Sequence, residues 1–160
     1  MNFQFDSVQD LAQVQKLMPR LCDPKVITAA ATSFTTAASP VTLFTVDGDI
    51  LCRVFATVQT GLTSTSSTGT LEIGVTGNTA AILPQTTANG TNFPTGAAWA
   101  GDTSPTVKAE ALSSVALNWA LVAGGADIIA TIATNSMTAG AITFYCMYIP
   151  LSRDARVIPT

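Results

Sequence analysis

The chain has 160 residues, of which 48% are hydrophobic and 11% charged, with no histidine and a formal charge of -3. An average soluble domain carries roughly 25% charged residues. That balance excludes intrinsic disorder, which needs low hydrophobicity and high charge. It also argues against nucleic-acid binding, whose affinity comes from neutralising phosphates. Without histidine, Ser-His-Asp and Cys-His mechanisms lack their general base.

Asp6-Ser7-Val8-Gln9 reads as a helix N-cap with Gln at the third helical position. Val8, Leu11, Ala12, Val14, Leu17, Met18 and Leu21 follow at helical spacing, and Pro19 stops the run. The spacing predicts a short amphipathic helix over about residues 7–18, within an N-terminal arm spanning 1–25. Leu11, Leu17 and Met18 form its apolar side. Such a helix either caps its own domain or docks on a neighbouring subunit. Two early aspartates and no basic region before an apolar core separate this segment from a signal peptide.

From Val26 to Ser152 the signals favour strands, and charges are sparse: Asp47, Asp49, Arg53, Glu72, Asp102, Lys108, Glu110 and Asp127. Val41–Val46 and Ile50–Gln59 flank Asp47-Gly48-Asp49, a pattern that predicts a hairpin. Thr60–Gly69 is a Thr/Ser/Gly stretch that reads as a loop. Thr70–Val75 alternates cleanly, Thr76-Gly77-Asn78 turns, and Ala80–Leu83 runs to Pro84.

Gln85–Pro105, dense in Thr, Asn, Gly and Pro, reads as a long loop holding Phe93 and Trp99. These aromatics either bind a sugar or partner surface, or pin the loop to the body. Val107–Ser113 and Val115–Val122 read as strands, with a helix over Ala109–Val122 as the alternative. Gly124-Gly125 turns, Asp127–Thr134 alternates, Asn135–Gly140 turns again, and Ala141–Ile149 is the last strand. In it Ile142, Phe144, Cys146 and Tyr148 share one face, with Tyr145, Met147 and Ile149 on the other. Apolar faces on both sides require cover on both sides, from the same chain or from another. The polar interruptions at Thr131, Thr134, Asn135 and Ser136 rule out a membrane-spanning helix there.

Short strands punctuated by turns predict a mainly β fold, an antiparallel β-sandwich or jelly-roll-like body over 26–152. A C-terminal tail over 153–160 carries Arg153 and Arg156. Cys22, Cys52 and Cys146 lack CxxC spacing and read as buried free thiols.

Chemistry-bearing motifs are thin. Asp47-Gly48-Asp49 offers too few oxygens for calcium and reads as a turn. Gly74–Asn78 lacks the lysine of a phosphate loop. Asn89-Gly90-Thr91 matches a glycosylation sequon, which acts only on a secreted chain. Glu72 and Glu110, the two glutamates, sit in no glycosidase-like context. No cofactor, metal or catalytic residue is expected.

The stretches LFTVDGDILCRVFATVQTGL, TLEIGVTGNTAAILPQTTA and GGADIIATIATNSMTAGAITFYCMYIPLS give the chain, from Leu43 to Ser152, a resemblance to small structural proteins of tailed bacteriophages. The resemblance implies a non-enzymatic, β-rich virion subunit of the capsid decoration or cement type. Its partners would be the major capsid protein and itself, as homotrimer or homodimer, with no nucleic acid or membrane. It would be assembled in the host cytoplasm and lie on the capsid surface. The alternative is a receptor- or carbohydrate-binding module of a tail or head fibre. Leu11, Leu17, Met18, Phe93, Trp99, Arg153 and Arg156 are the expected partner contacts.

Overall fold

The computed structural model describes residues 18–29, 34–37, 39–101, 106–107 and 119–160. The strands in chain order are β1 (Arg20–Leu21), β2 (Lys25–Thr28), β3 (Val41–Asp47), β4 (Ile50–Ser64), β5 (Thr70–Val75) and β6 (Asn78–Thr87). Then come β7 (Ala97–Trp99), β8 (Thr106–Val107), β9 (Ala120–Val122), β10 (Ile128–Ala133), β11 (Met137–Pro150) and β12 (Arg156–Pro159). They form two antiparallel sheets, the expected sandwich. In the seven-stranded sheet β1 and β2 pair with β11, β11 with β4, β4 with β7 and β9, and β7 with β8. The five-stranded sheet runs β12-β3-β10-β5-β6. The chain passes repeatedly between the sheets, at β2–β3, β3–β4, β4–β5, β6–β7, β9–β10, β10–β11 and β11–β12.

The sandwich closes because its long strands alternate with period two. On β4, Ile50, Cys52, Val54, Ala56 and Val58 point inward; on β11, Ile142, Phe144, Cys146 and Tyr148 do. Leu43, Phe44 and Val46 of β3, Leu71 and Ile73 of β5, and Ile128, Ala130 and Ile132 of β10 face them across the core. All three cysteines are buried and free, as expected.

Asp47-Gly48-Asp49 is a corner rather than a hairpin. β3 pairs with β10 and β12, whereas β4 pairs with β11, β7 and β9, so the turn carries the chain from one sheet to the other. Gly48 has φ +74°. Asp49 fixes the corner: its amide donates to Ser152 Oγ at 2.8 Å. Its carboxylate accepts from the Gly124 amide at 2.9 Å.

Two expected loops shorten. β4 continues to Ser64, followed by a single 3-10 turn at Thr65–Ser67. The buried Ser64 hydroxyl donates to the Ala88 carbonyl (2.9 Å) and accepts from the Gly69 amide (3.0 Å), which a serine-rich loop reading does not reveal. β11 begins at Met137, leaving only Thr134–Ser136 as the turn, with a register shift around Gly140. Gly140 has φ +114°, and a Cβ there would lie 2.6 Å from the Gly61 carbonyl oxygen. That close approach of backbones explains the glycine.

The 85–105 region is also more ordered than a loop. β6 runs through Pro84 to Thr87 and β7 lies within the stretch. Proline is tolerated because β6 is the sheet's outer edge and its ladder is interrupted by register shifts.

Residues assigned to arm and tail contribute strands. Arg20–Leu21 and Lys25–Thr28 line the edge of β11, and Arg156–Pro159 is the edge strand beside β3. Met18 is a bend, and the rest of the expected helix, from 7 to 17, lies outside the described residues. So do residues 108–118, which hold most of the expected strands, or the alternative helix, between 107 and 122. The ends of that span are strands β8 and β9.

Candidate interaction surface

The outward face of the seven-stranded sheet is apolar. Alternation that sends one set of β4 and β11 side chains into the core sends Leu51, Arg53, Phe55 and Thr57 of β4 outward. It does the same for Thr143, Tyr145, Met147 and Ile149 of β11. Directly paired residues share a face, so the register builds cross-strand rows. Leu21 stands beside Met147, which stands beside Arg53. Val26 stands beside Thr143, then Thr57. Ile149 is followed by Leu51 and then Leu121.

In the middle row Tyr145 and Phe55 stack, with ring centroids 5.0 Å apart and planes within 9°. The two margins are open to solvent: Leu21 is 62%, Val26 56% and Leu121 65% exposed.

Arg53 is the one charge among the outward residues of β4 and β11. Its Nε is buried with no hydrogen-bond partner among the described residues, and desolvation lowers its pKa from the ordinary arginine value. A cation half-sunk in an apolar face is costly unless something completes its surroundings.

The residues expected as contacts fall in separate places. Phe93 and Trp99 are fully buried, meeting edge to face at 5.1 Å and 84°. Their role is to pin the segment to the body, which corrects their reading as contact residues. The pinning begins at Asn89, whose side-chain oxygen accepts from the Thr91 and Asn92 amides (3.1 and 2.9 Å). Met18 is 55% exposed, while Leu11 and Leu17 lie outside the described residues. Arg153 is exposed and lines an open cleft of about 650 Å³ with Arg20, Pro150 and Asp154. Arg156 is committed to Asp47, its Nε donating to the carboxylate at 2.6 Å.

Of the acidic residues, Asp47 and Asp49 are engaged in contacts at the corner. Glu72 is buried beside Thr131 in the five-stranded sheet, and Glu110 lies outside the described residues. Among the described residues no group of His, Cys, Asp and Glu is placed to hold a metal ion. Nor is any helix among them long and apolar enough to cross a membrane.

The outward residues were partly legible. Apolar Tyr145, Met147 and Ile149 opposite the core face of β11 signal a second surface needing cover. Leu21 and Val26 were hidden by their position in a charged terminal segment, and Leu121 by the absence of a visible pairing with β4.

By fold and surface, then, this is a two-sheet antiparallel sandwich with one apolar outer face. No protein-family model matches the chain, and neither the curated proteins nor the solved structures contain a match to it.

Proposed function

We propose that the chain is a non-enzymatic structural subunit of a tailed-bacteriophage virion. In this reading it is a decoration or cement protein that binds the major capsid protein lattice and stabilises the head. The observation that carries the reading is the apolar outer face of the seven-stranded sheet, backed by a continuous buried core. A subunit that works by burying surface needs such a face. The resemblance of Leu43–Ser152 to small phage structural proteins supports the same reading. The fibre alternative loses its proposed contacts, because Phe93 and Trp99 sit inside the sandwich.

The test is to add purified protein to phage heads lacking it and image them. Regular coating of the shell, with heads surviving higher temperature or chelation, supports the proposal. Binding confined to the tail, or to host cells or glycans without head binding, overturns it.

A further inference from the structure

We propose that the outer face of the seven-stranded sheet is the contact between copies of this chain, with Arg53 of one copy seated on the Phe55–Tyr145 ring pair of its neighbour. This rests on the reading of the chain as an assembly subunit and specifies which surface builds the assembly.

Size is the first argument. β4 and β11 stay paired from Ile50 beside Pro150 to Thr60 beside Ala141. At ~3.4 Å per residue that is a face about 37 Å long. Four strand positions, from β1 and β2 across β11 and β4 to β9 and β7, span about 19 Å at ~4.8 Å each. The outer strands cover only part of that length, so the plan area is roughly 550 Å² per copy, and about 1,100 Å² for a pair clears the ~1,000 Å² expected of a specific interface.

Complementarity to itself is the second. The face presents a cation whose Nε has no hydrogen-bond partner among the described residues, and a parallel aromatic pair whose outer flat surfaces attract cations. Within one chain these groups are adjacent outward positions of the same strand, Arg53 and Phe55, so they lie side by side rather than one upon the other. A second copy brings one onto the other. Under cyclic symmetry each copy then gives its arginine and receives its neighbour's, satisfying every subunit with a single contact. A strongly acidic partner would instead find one arginine in a field of Leu, Val, Met and aromatic side chains.

The experiment measures the mass of the full-length protein in solution by sedimentation equilibrium, alongside Val26→Asp, Leu121→Asp, Arg53→Ala and Ile158→Asp. Val26 and Leu121 stand at opposite margins and are more than half exposed, so either charge is compatible with folding, checked by far-UV circular dichroism. Ile158, 42% exposed on β12, is the control on the other sheet. The wild type and Ile158→Asp are expected as a closed oligomer. Val26→Asp and Leu121→Asp are expected to weaken association at least tenfold, and Arg53→Ala roughly two- to thirty-fold.

A monomeric wild type overturns the proposal, whether another segment of the chain or another protein covers the face. An oligomer indifferent to both margin substitutions, or dissociated by Ile158→Asp alone, also overturns it. A monomer that still coats phage heads defeats the self-contact and leaves the proposed function standing. An oligomer that ignores heads does the reverse.

Discussion

Phe55 and Tyr145 lie directly opposite each other on adjacent antiparallel strands, and their rings stack nearly parallel on the outward side of the sheet. A cross-strand aromatic pair of this kind contributes beyond the area that it buries. In the Leu121→Asp background, a double-mutant cycle of Phe55→Ala and Tyr145→Ala should yield a coupling of ~0.5–1.5 kcal/mol in urea unfolding. Strict additivity would show that the rings share a face without supporting one another.

Trp99 presents the opposite case, an aromatic wholly inside. Trp99→Ala should lose ~3–5 kcal/mol of unfolding free energy, since it empties the volume against Phe93. Trp99→Phe should lose less than half as much. It keeps a ring in place and removes an indole N–H that is buried with no hydrogen-bond partner among the described residues. Fluorescence offers an independent check. In Trp119→Phe, which removes the 37% exposed tryptophan, the remaining emission should be blue-shifted and resist acrylamide. Ready quenching would contradict the burial of Trp99.

The contrast between these aromatics shows where the sequence was readable. The period-two pattern of β11 named both faces of that central strand, because alternation is a local signal that burial does not alter. Pairing is not local. Asp47-Gly48-Asp49 has the chemistry of a hairpin turn, yet the long register between β4 and β11 outweighs two strands meeting at a tight turn. Phe93 and Trp99 left contact and pinning both open because Thr, Asn, Gly and Pro surround them. The burial comes from an Asx-type turn and a short strand, neither of which needs apolar neighbours in sequence. Leu21 and Val26 belong to the face only through β11, far along the chain.

Gly140 and Gly77 separate backbone conformation from crowding. Both have positive φ, +114° and +89°, but among the described residues nothing lies within 4 Å of a Cβ at Gly77. At Gly140 that atom would meet the Gly61 carbonyl oxygen at 2.6 Å and the Leu62 Cα at 2.8 Å. Gly77→Ala should therefore cost ~1–2 kcal/mol, the conformational penalty alone. Gly140→Ala should cost clearly more, about 2–4 kcal/mol, because backbone must move. Equal losses in denaturant unfolding would mean that β4 and β11 can separate at the bulge without penalty.

The buried thiols set an alkaline limit on stability. Cys146 is pushed far above its ordinary value of 9.0 by its hydrogen bond with the Cys52 thiol, by burial, and by the nearby Cys52 and Cys22. Burial, with the charge of Asp23, also raises Cys22, against a smaller opposing hydrogen bond from the Asp23 backbone. Below about pH 8 these thiols are protonated in both the folded and the unfolded chain, and they add no pH dependence. As pH rises through 9.0, the unfolded chain releases protons that the folded chain retains, so folding stability falls. The limiting slope is ~1.4 kcal/mol per pH unit for each thiol held protonated. Unfolding free energies measured from pH 7 to 10 should be flat at first and then decline. Cys146→Ala should start lower, because it leaves a small cavity, yet decline less steeply at the alkaline end. Native protein should react slowly with a thiol reagent at pH 8, and denatured protein at once. Parallel alkaline slopes for wild type and Cys146→Ala would show that another group controls the decline.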